Sequence, residues 1–318
     1  MGSIEARNLV RKFGGFTAVA DLSFEVARGD VLGFLGPNGA GKSTTMKMLT
    51  GFLRPTAGRV RIAGVDMADT PRAGQTAIGY LPEGAPAWGD MTPRRFLDFI
   101  ARIRGLDKPA TRAATARAVE VTELAAVLDR PIDTLSKGYR RRVGLAQAIL
   151  HDPDVLIMDE PTDGLDPNQK FHIRRAIAEM AADKAIIIST HILEEVDAVC
   201  TRALIIDHGR LVASGTPTEL AARSRYHGAV TLSVVSAEAE KVAAGLRAHI
   251  ANVAVEARPR GDETTFFVLP ETPTPDLIEK IGALAQRENW PLRGLALEAG
   301  RLDDVFRRLT RTDTDEAA

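Results

Sequence analysis

Gly36-Pro37-Asn38-Gly39-Ala40-Gly41-Lys42-Ser43-Thr44 decides the reading of this chain. It fits G-x-x-x-x-G-K-[ST], the pattern of a phosphate-binding loop. Val31-Leu32-Gly33-Phe34-Leu35 reads as a buried strand entering the loop, and Thr44 to Leu49 as a helix leaving it. Three glycines let the backbone wrap tightly, so that successive N–H groups point inward at phosphate oxygens. The helix N-terminus adds partial positive charge at the same place. Lys42 then reaches the β- and γ-phosphates, and the Ser43 hydroxyl is a ligand for Mg²⁺. The bare pattern arises by chance in roughly one chain in a hundred. With a strand before it and a helix after it, nucleotide binding is the expectation.

Composition sets the frame around the loop. A chain of 318 residues implies about two domains and a full core. Hydrophobic content of 45% and charged content of 26% are ordinary for a globular protein. A net charge of −1 offers no bulk attraction to nucleic acid or anionic lipid, so no nucleic-acid partner is expected. The single cysteine, Cys200, excludes an internal disulfide and a cysteine-cluster metal site. It reads as a small buried residue on a helix and points to a reducing cytosol. The N-terminus lacks the long apolar stretch of a signal peptide. No run of about 18 apolar residues exists, so any membrane span must come from another chain.

Along the chain, residues 4–35 read as strands, with Leu22, Phe24 and Val26 alternating against Ser23 and Glu25. Ile78 to Leu81 is a short strand ending at Pro82. From about 86 to 150 the pattern turns helical. Phe96, Phe99, Ile100 and Ile103 take the i, i+3, i+4, i+7 spacing of one helix face. Val155 to Met158 and Ala185 to Ile188 are apolar runs of the buried parallel-strand type. Leu204 to Ala213, turning at His208-Gly209, reads as a closing hairpin. From about 225 the order is β-α-β-β-α-β, a small ferredoxin-like α+β module, followed by a last helix near 302–309 and a frayed acidic end, Asp313 to Ala318.

Two further stretches carry chemistry. Asp159 and Glu160 close the apolar strand at 155–158. A strand-end aspartate beside a phosphate loop is placed to hold Mg²⁺, and the adjacent carboxylate to polarise an attacking water. Leu135-Ser136-Lys137-Gly138-Tyr139 precedes a helix. Ser136 either caps that helix or, with the Gly138 backbone, makes a second anion site. His151, His172, His208, His227 and His249 lack ligand spacing and read as surface or turn residues. The run Arg140-Arg141-Arg142 reads as a solvated helix face.

In their order these motifs resemble the ATP-binding subunit of an ABC transporter, over about residues 3–220. Walker A lies at 36–44, the signature motif at Leu135–Tyr139, and Walker B at Val155–Asp159 with Glu160 following. The D-loop is at Gly164-Leu165-Asp166, the switch histidine at His191, and the adenine-stacking aromatic at Phe13. Lys137 and Tyr139 stand where the family often has Gly and usually has Gln. Glu83 stands where most members have the Q-loop glutamine. Tyr80-Leu81-Pro82-Glu83, Glu160-Pro161-Thr162-Asp163-Gly164-Leu165-Asp166-Pro167-Asn168-Gln169 and Leu302-Asp303-Asp304-Val305-Phe306 are similar to export-type subunits, notably gliding-motility-associated ATP-binding proteins.

The resemblance implies an α/β P-loop NTPase over residues 1–222: a RecA-like core, an antiparallel side sheet and a helical subdomain at about 86–150. A C-terminal accessory or regulatory domain follows at 225–318. It implies ATP and Mg²⁺ as cofactors, held by Phe13, Gly36, Pro37, Asn38, Gly39, Ala40, Gly41, Lys42, Ser43 and Thr44, with Asp159 and Glu83 also on the metal. Glu160, His191 and Lys42 are the catalytic residues it points to. Ser136, Gly138 and Asp166 complete nucleotide binding in a head-to-tail dimer with a homodimeric or paralogous ATPase partner: Ser136 and Gly138 contact the γ-phosphate of the opposite site, and Asp166 lies at the seam and couples the two sites. An integral membrane permease is the second partner, docking near Ala87, Trp88 and Met91, so that the chain sits peripherally on the cytoplasmic face of the membrane. Two other readings stay open: a non-transport ABC ATPase, and a nucleotide-dependent regulator without turnover.

Overall fold

Val31–Leu35, Val155–Asp159 and Ala185–Thr190 are buried along their whole length in the computed structural model, which describes residues 3–85 and 87–310. Apolar runs of this kind suit strands covered on both faces, and these three are neighbours in a parallel sheet. Six strands make that sheet, in the order Arg210–Gly215, Arg202–Asp207, Val31–Leu35, Ala185–Thr190, Val155–Asp159, Ile78–Leu81. All neighbours run parallel except the edge strand Arg210–Gly215, which closes the expected hairpin.

A second sheet is antiparallel, in the order Phe16–Val26, Ile4–Phe13, Ala57–Ile62, Val65–Asp66. The helix Lys42–Leu49 contributes Met46, Met48 and Leu49 to a core shared with both sheets, against Phe34, Ile157 and Ile187 on one and Leu9, Leu22 and Ile62 on the other. Each such side chain contributes roughly 1.5–3 kcal/mol on leaving water.

The helical insertion holds Pro93–Ile103, Lys108–Thr122 and Lys137–Ile149. Its first helix corrects the sequence reading. Phe96 is buried, but Phe99 and Ile103 are exposed, and the inward stripe is Pro93, Phe96, Leu97 and Ala101. The packed face is rotated by about one residue, because Leu97 rather than Phe99 turns toward the neighbouring helices. Phe99 instead meets the Trp88 ring edge-on at 5.0 Å. Cys200 is buried at the end of helix Leu193–Val199, in extended backbone rather than within the helix.

The chain forms two units, Met1–Thr216 and Pro217–Ala318. In the second, four antiparallel strands lie in the order Val253–Arg260, Glu263–Pro270, Val230–Val235, Leu292–Leu297. Helices Ala239–His249 and Leu277–Arg287 complete a split β-α-β pattern. Its own core holds Leu232, Val242, Leu246, Phe266, Ile281 and Trp290. The acidic end, Asp313 to Ala318, lies outside the described residues.

Gly79 shows how closely the insertion packs on the parallel sheet. A Cβ there would lie against the Ala148 carbonyl and 2.8 Å from Pro153 Cγ, whereas one at Gly15 would meet nothing within 4 Å. Gly79→Ala is expected to cost about 1–3 kcal/mol, read as a lower urea midpoint. Gly15→Ala should stay within about 0.5 kcal/mol of the parent.

Candidate active site

The site grows from the carboxyl edge of the parallel sheet. Leu35 is paired with Thr190, Asp159 with Ser189 and Leu81 with Met158, so four strands end side by side. The segments after them begin at Gly36, Pro82, Glu160 and His191. Ligands of open parallel sheets bind beyond these strand ends.

Gly41 turns the loop into its helix at φ +100, a backbone that favours glycine, and a Cβ there would sit 2.5 Å from the Ala18 carbonyl oxygen. The Thr45 hydroxyl donates back to Gly41 O at 2.9 Å and braces the first turn. Lys42 is buried, and its Nζ donates across the loop to Gly36 O at 2.6 Å and Pro37 O at 3.0 Å. Burial pushes its pKa down, while the fields of Glu160, Asp159 and Glu83 act the other way.

A cavity of about 420 Å³ opens over this loop. Its floor is Asn38, Gly39 and Gly41 to Thr44, its rim Glu83 and Glu160, and its side wall Phe13 and Phe16. Phe13 is the aromatic expected from sequence, with the Arg11 guanidinium 4.4 Å over its ring. Phe16 was not expected. It is 62% exposed on the facing strand of the same hairpin, paired with Phe13, and only the pairing register brings the two together.

Asp159 is buried and accepts a hydrogen bond from the Ser189 hydroxyl. Ser189 is a second residue the motifs did not single out. Glu160 stands at φ +52, unusual for a non-glycine residue. Its N–H donates to Ser189 O at 2.9 Å, and its Oε1 lies 2.8 Å from His191 Nδ1. Thr190 donates to the buried Glu195 carboxylate at 2.7 Å and accepts from Ile192 N–H at 3.0 Å, fixing the backbone on either side of His191. Burial raises the Glu195 pKa, against the Thr190 hydrogen bond. Partial burial, with the fields of Asp159 and Glu83, pushes the Tyr80 phenol up to about 12.

Ser136, Gly138 and Asp166 are not among the residues lining this cavity. Ser136 caps helix Lys137–Ile149 by accepting from Tyr139 N–H at 3.3 Å, and Asp166 caps helix Pro167–Ala181 by accepting from Gln169 N–H at 2.9 Å. The two loops are tied by Lys137 and Asp163 at 2.7 Å.

The arginine run is a correction. Only Arg140 faces solvent; Arg141 and Arg142 are each 5% exposed. Arg142 donates to Glu123 and to Thr122 O within the insertion. Arg141 donates to the carbonyls of Pro82, Asp159 and Glu160. The helix is enclosed on most sides, which leaves Arg140 in solvent and turns Arg141 and Arg142 inward.

A larger groove of about 980 Å³ lies between the insertion and the sheet unit, walled by Phe52, Gln75, Tyr80, Ile100, Ile103, Arg104 and His151. His151 is thereby a second correction: it is partly buried, with Nε2 3.1 Å from Ile78 O. Among the described residues no helix is long and apolar enough to cross a membrane.

A phosphate loop at the carboxyl edge of a parallel sheet, facing an acidic pair, defines a phosphate-loop nucleoside triphosphatase. Residues 19–163 match the ABC transporter family. Along 308 residues, 96% of this chain and 93% of its relative, the sequence is 33% identical to Nod factor export ATP-binding protein I of Ralstonia nicotianae. It is 36% identical to a probable multidrug ABC transporter ATP-binding protein of Escherichia coli, over 70% of this chain but 38% of that one. Among solved structures, an ATP-binding subunit of an ABC transporter aligns with a TM-score of 0.64 and 30% identity, over 68% of this chain and 91% of that one. The chain belongs to the ABC transporter family, as an ATP-binding subunit whose reaction is ATP hydrolysis.

His151 makes the fold sensitive to acid. Burial, helped by Arg104, lowers its pKa from 6.5 to about 4. The unfolded chain takes up the proton near pH 6.5 and the folded chain only near pH 4. The neutral ring is therefore no burden above pH 6.5, and stability is lost as pH falls between these values. His151→Gln should flatten this part of the profile, by on the order of 1 kcal/mol after allowance for solvent screening. Urea midpoints at pH 7 and pH 4.5 measure it.

Proposed function

We propose that this chain powers an export-type ABC transporter. Two ATPase chains, identical or paralogous, close head to tail around two ATP molecules and drive an integral membrane permease from its cytoplasmic face. The observation that carries the reading is the split of the site. The phosphate loop, Asp159, Glu160 and His191 stand at the carboxyl ends of neighbouring strands, with His191 bonded to Glu160. Ser136 and Asp166 stand at the N-caps of two helices, and neither they nor Gly138 lines the cavity. A second chain would supply the missing half. The names of the relatives, concerned with Nod factor and multidrug transport, support export.

In this reading Phe13 and Phe16 hold the adenine, and the N–H groups of 36–44 and Lys42 hold the phosphates. The hard oxygen donors Ser43, Glu83 and Asp159 suit Mg²⁺, which commonly keeps several waters beside one or two carboxylates. The metal would offset charge on the β- and γ-phosphate oxygens. Glu160 orients a water for in-line attack on the γ-phosphorus and receives its proton as the bond to the β–γ bridging oxygen breaks. His191 Nδ1 is engaged by Glu160 at 2.8 Å, which leaves Nε2 to face the γ-phosphate. Ser136 and Gly138 contact the γ-phosphate bound by the opposite chain. A cytoplasmic helix of the permease rests on the groove lined by Phe52, Ile100 and Ile103 and on the exposed Trp88, whose ring meets Phe99 of the same helix as Ile100 and Ile103.

Glu160→Gln should retain ATP binding and lower phosphate release at least about 10²-fold. Binding with no Glu160-dependent release in the parent would favour a regulator instead. A mixed dimer with Lys42→Ala in one chain and Ser136→Ala in the other should keep one intact site, with both defects in the other. Nucleotide stoichiometry reads this, and equal damage at both sites would refute the arrangement. Trp88→Ala should weaken permease docking by about 2 kcal/mol and uncouple transport while basal hydrolysis persists. Loss of nucleotide binding in that variant would sink the docking assignment.

A further inference from the structure

Arg141 lies five residues beyond Ser136 on the helix Lys137–Ile149, enclosed between the insertion and the sheet. A buried guanidinium ordinarily takes a carboxylate partner in a forked pair. This one donates to main-chain carbonyls instead. Nη1 reaches Pro82 O at 3.1 Å, and Nη2 reaches the carbonyls of both Asp159 and Glu160.

These three carbonyls have something in common. Pro82 immediately precedes Glu83, and the other two belong to Asp159 and Glu160 themselves. The guanidinium therefore holds the backbone at or beside Glu83, Asp159 and Glu160 without itself bonding to their carboxylates. Glu160 most needs such a hold. Its φ of +52 is a backbone that persists only where surrounding bonds impose it. Those bonds are Arg141 to Glu160 O, Asp163 N–H to the same oxygen at 3.1 Å, and Glu160 N–H to Ser189 O at 2.9 Å. On the other arm, Ala85 N–H shares the Pro82 oxygen at 3.2 Å.

We infer that Arg141 is a positioning residue for hydrolysis: it ties the helix that begins at Ser136 to the strand ends carrying Glu83, Asp159 and Glu160. This rests on the assignment of Glu160 and Ser136 proposed above. Ser136 faces the ATP of the opposite chain, whereas Glu160 faces the ATP of its own. The tie makes the helix a lever between the two, so that closure on one nucleotide aligns the carboxylate acting on the other.

The test uses the full-length protein with Arg141→Lys, Arg141→Gln and Arg141→Met. Steady-state kinetics, ATP affinity, melting temperature and site-resolved hydrogen exchange are measured on each. Arg141→Met should lower kcat roughly 10²-fold, as a carboxylate displaced by about 1 Å would, with KM and ATP affinity near the parent's. Arg141→Lys, which still donates to carbonyls, should recover much of that loss, and Arg141→Gln should fall between. Exchange should quicken together at Ala85, Glu160 and Asp163 and stay unchanged in the second unit. The inference is overturned if kcat falls only in step with the folded fraction, if KM rises in place of the fall in kcat, or if lysine rescues no better than methionine. Unchanged exchange at those three amides overturns it as well. A parent with no Glu160-dependent turnover would sink the catalytic assignment, and the exchange measurement would still decide the tie.

Discussion

Three pairings, Leu35 with Thr190, Asp159 with Ser189 and Leu81 with Met158, align the carboxyl ends of four parallel strands. Each strand is short and mostly apolar, so its polar groups, Asp159, Ser189 and Thr190 among them, gather at its carboxyl end. The phosphate loop, Glu160 and His191 begin at the first position beyond a strand end, and Glu83 stands at the second. A slip of one residue in any of these strands would turn its side chains to the opposite face. Val155–Asp159 and Ala185–Thr190 are buried along their whole length, so a slip would have to repack close-fitting side chains on both faces. Packing therefore sets the strand register, and the bonds of Arg141 to the carbonyls of Pro82, Asp159 and Glu160 fix the segments that leave the strands.

Charge balance follows from that alignment. Glu83, Asp159 and Glu160 gather where phosphates are to bind, an arrangement that would repel ATP without compensation. Lys42 supplies one compensating charge from below. Its bonds to Gly36 O and Pro37 O keep it in place, and a phosphate oxygen, being charged, is the stronger acceptor. Exchange of carbonyl for phosphate thus needs no large movement of the lysine stem. Arg141 supplies the second charge from behind. Burial lowers its pKa and the carboxylates raise it, yet a guanidinium stays protonated in either case.

How much of this the sequence disclosed depends on how local each constraint is. Gly41 can be read because the turn from loop to helix, at φ +100, favours glycine whatever lies farther off. The strands at 155–159 and 185–190 can be read because continuous apolar runs have few alternatives. The C-terminal order could be read for a similar reason, since a two-residue turn at Gly261-Asp262 closes a hairpin whose strands alternate by local rule. Arg141 and Arg142 could not be read this way. An arginine is buried or solvated according to what covers its helix, and the covering segments, Pro82 and Thr122 among them, come from elsewhere in the chain. Phe99 and Leu97 differ by two positions, and periodicity alone did not tell which of them turns inward. Phe16 joins the cavity only through its pairing with Phe13, and His151 is desolvated only by the walls of the groove.

Glu83 is where register, charge and coupling meet. The resemblance leads one to expect a neutral glutamine there, and glutamate adds a full negative charge to a rim that already holds Glu160. In a cavity of about 420 Å³ open to solvent, such a charge is partly screened, but it still acts on Lys42 and on Tyr80. The same segment is held by Arg141 at Pro82, and it lies between the nucleotide cavity and the groove beside Tyr80. A permease helix pressing on the groove would move a charged group rather than a neutral one toward or away from the phosphates. Coupling in this chain is thus expected to be more electrostatic than in one carrying glutamine at this position, and more sensitive to ionic strength.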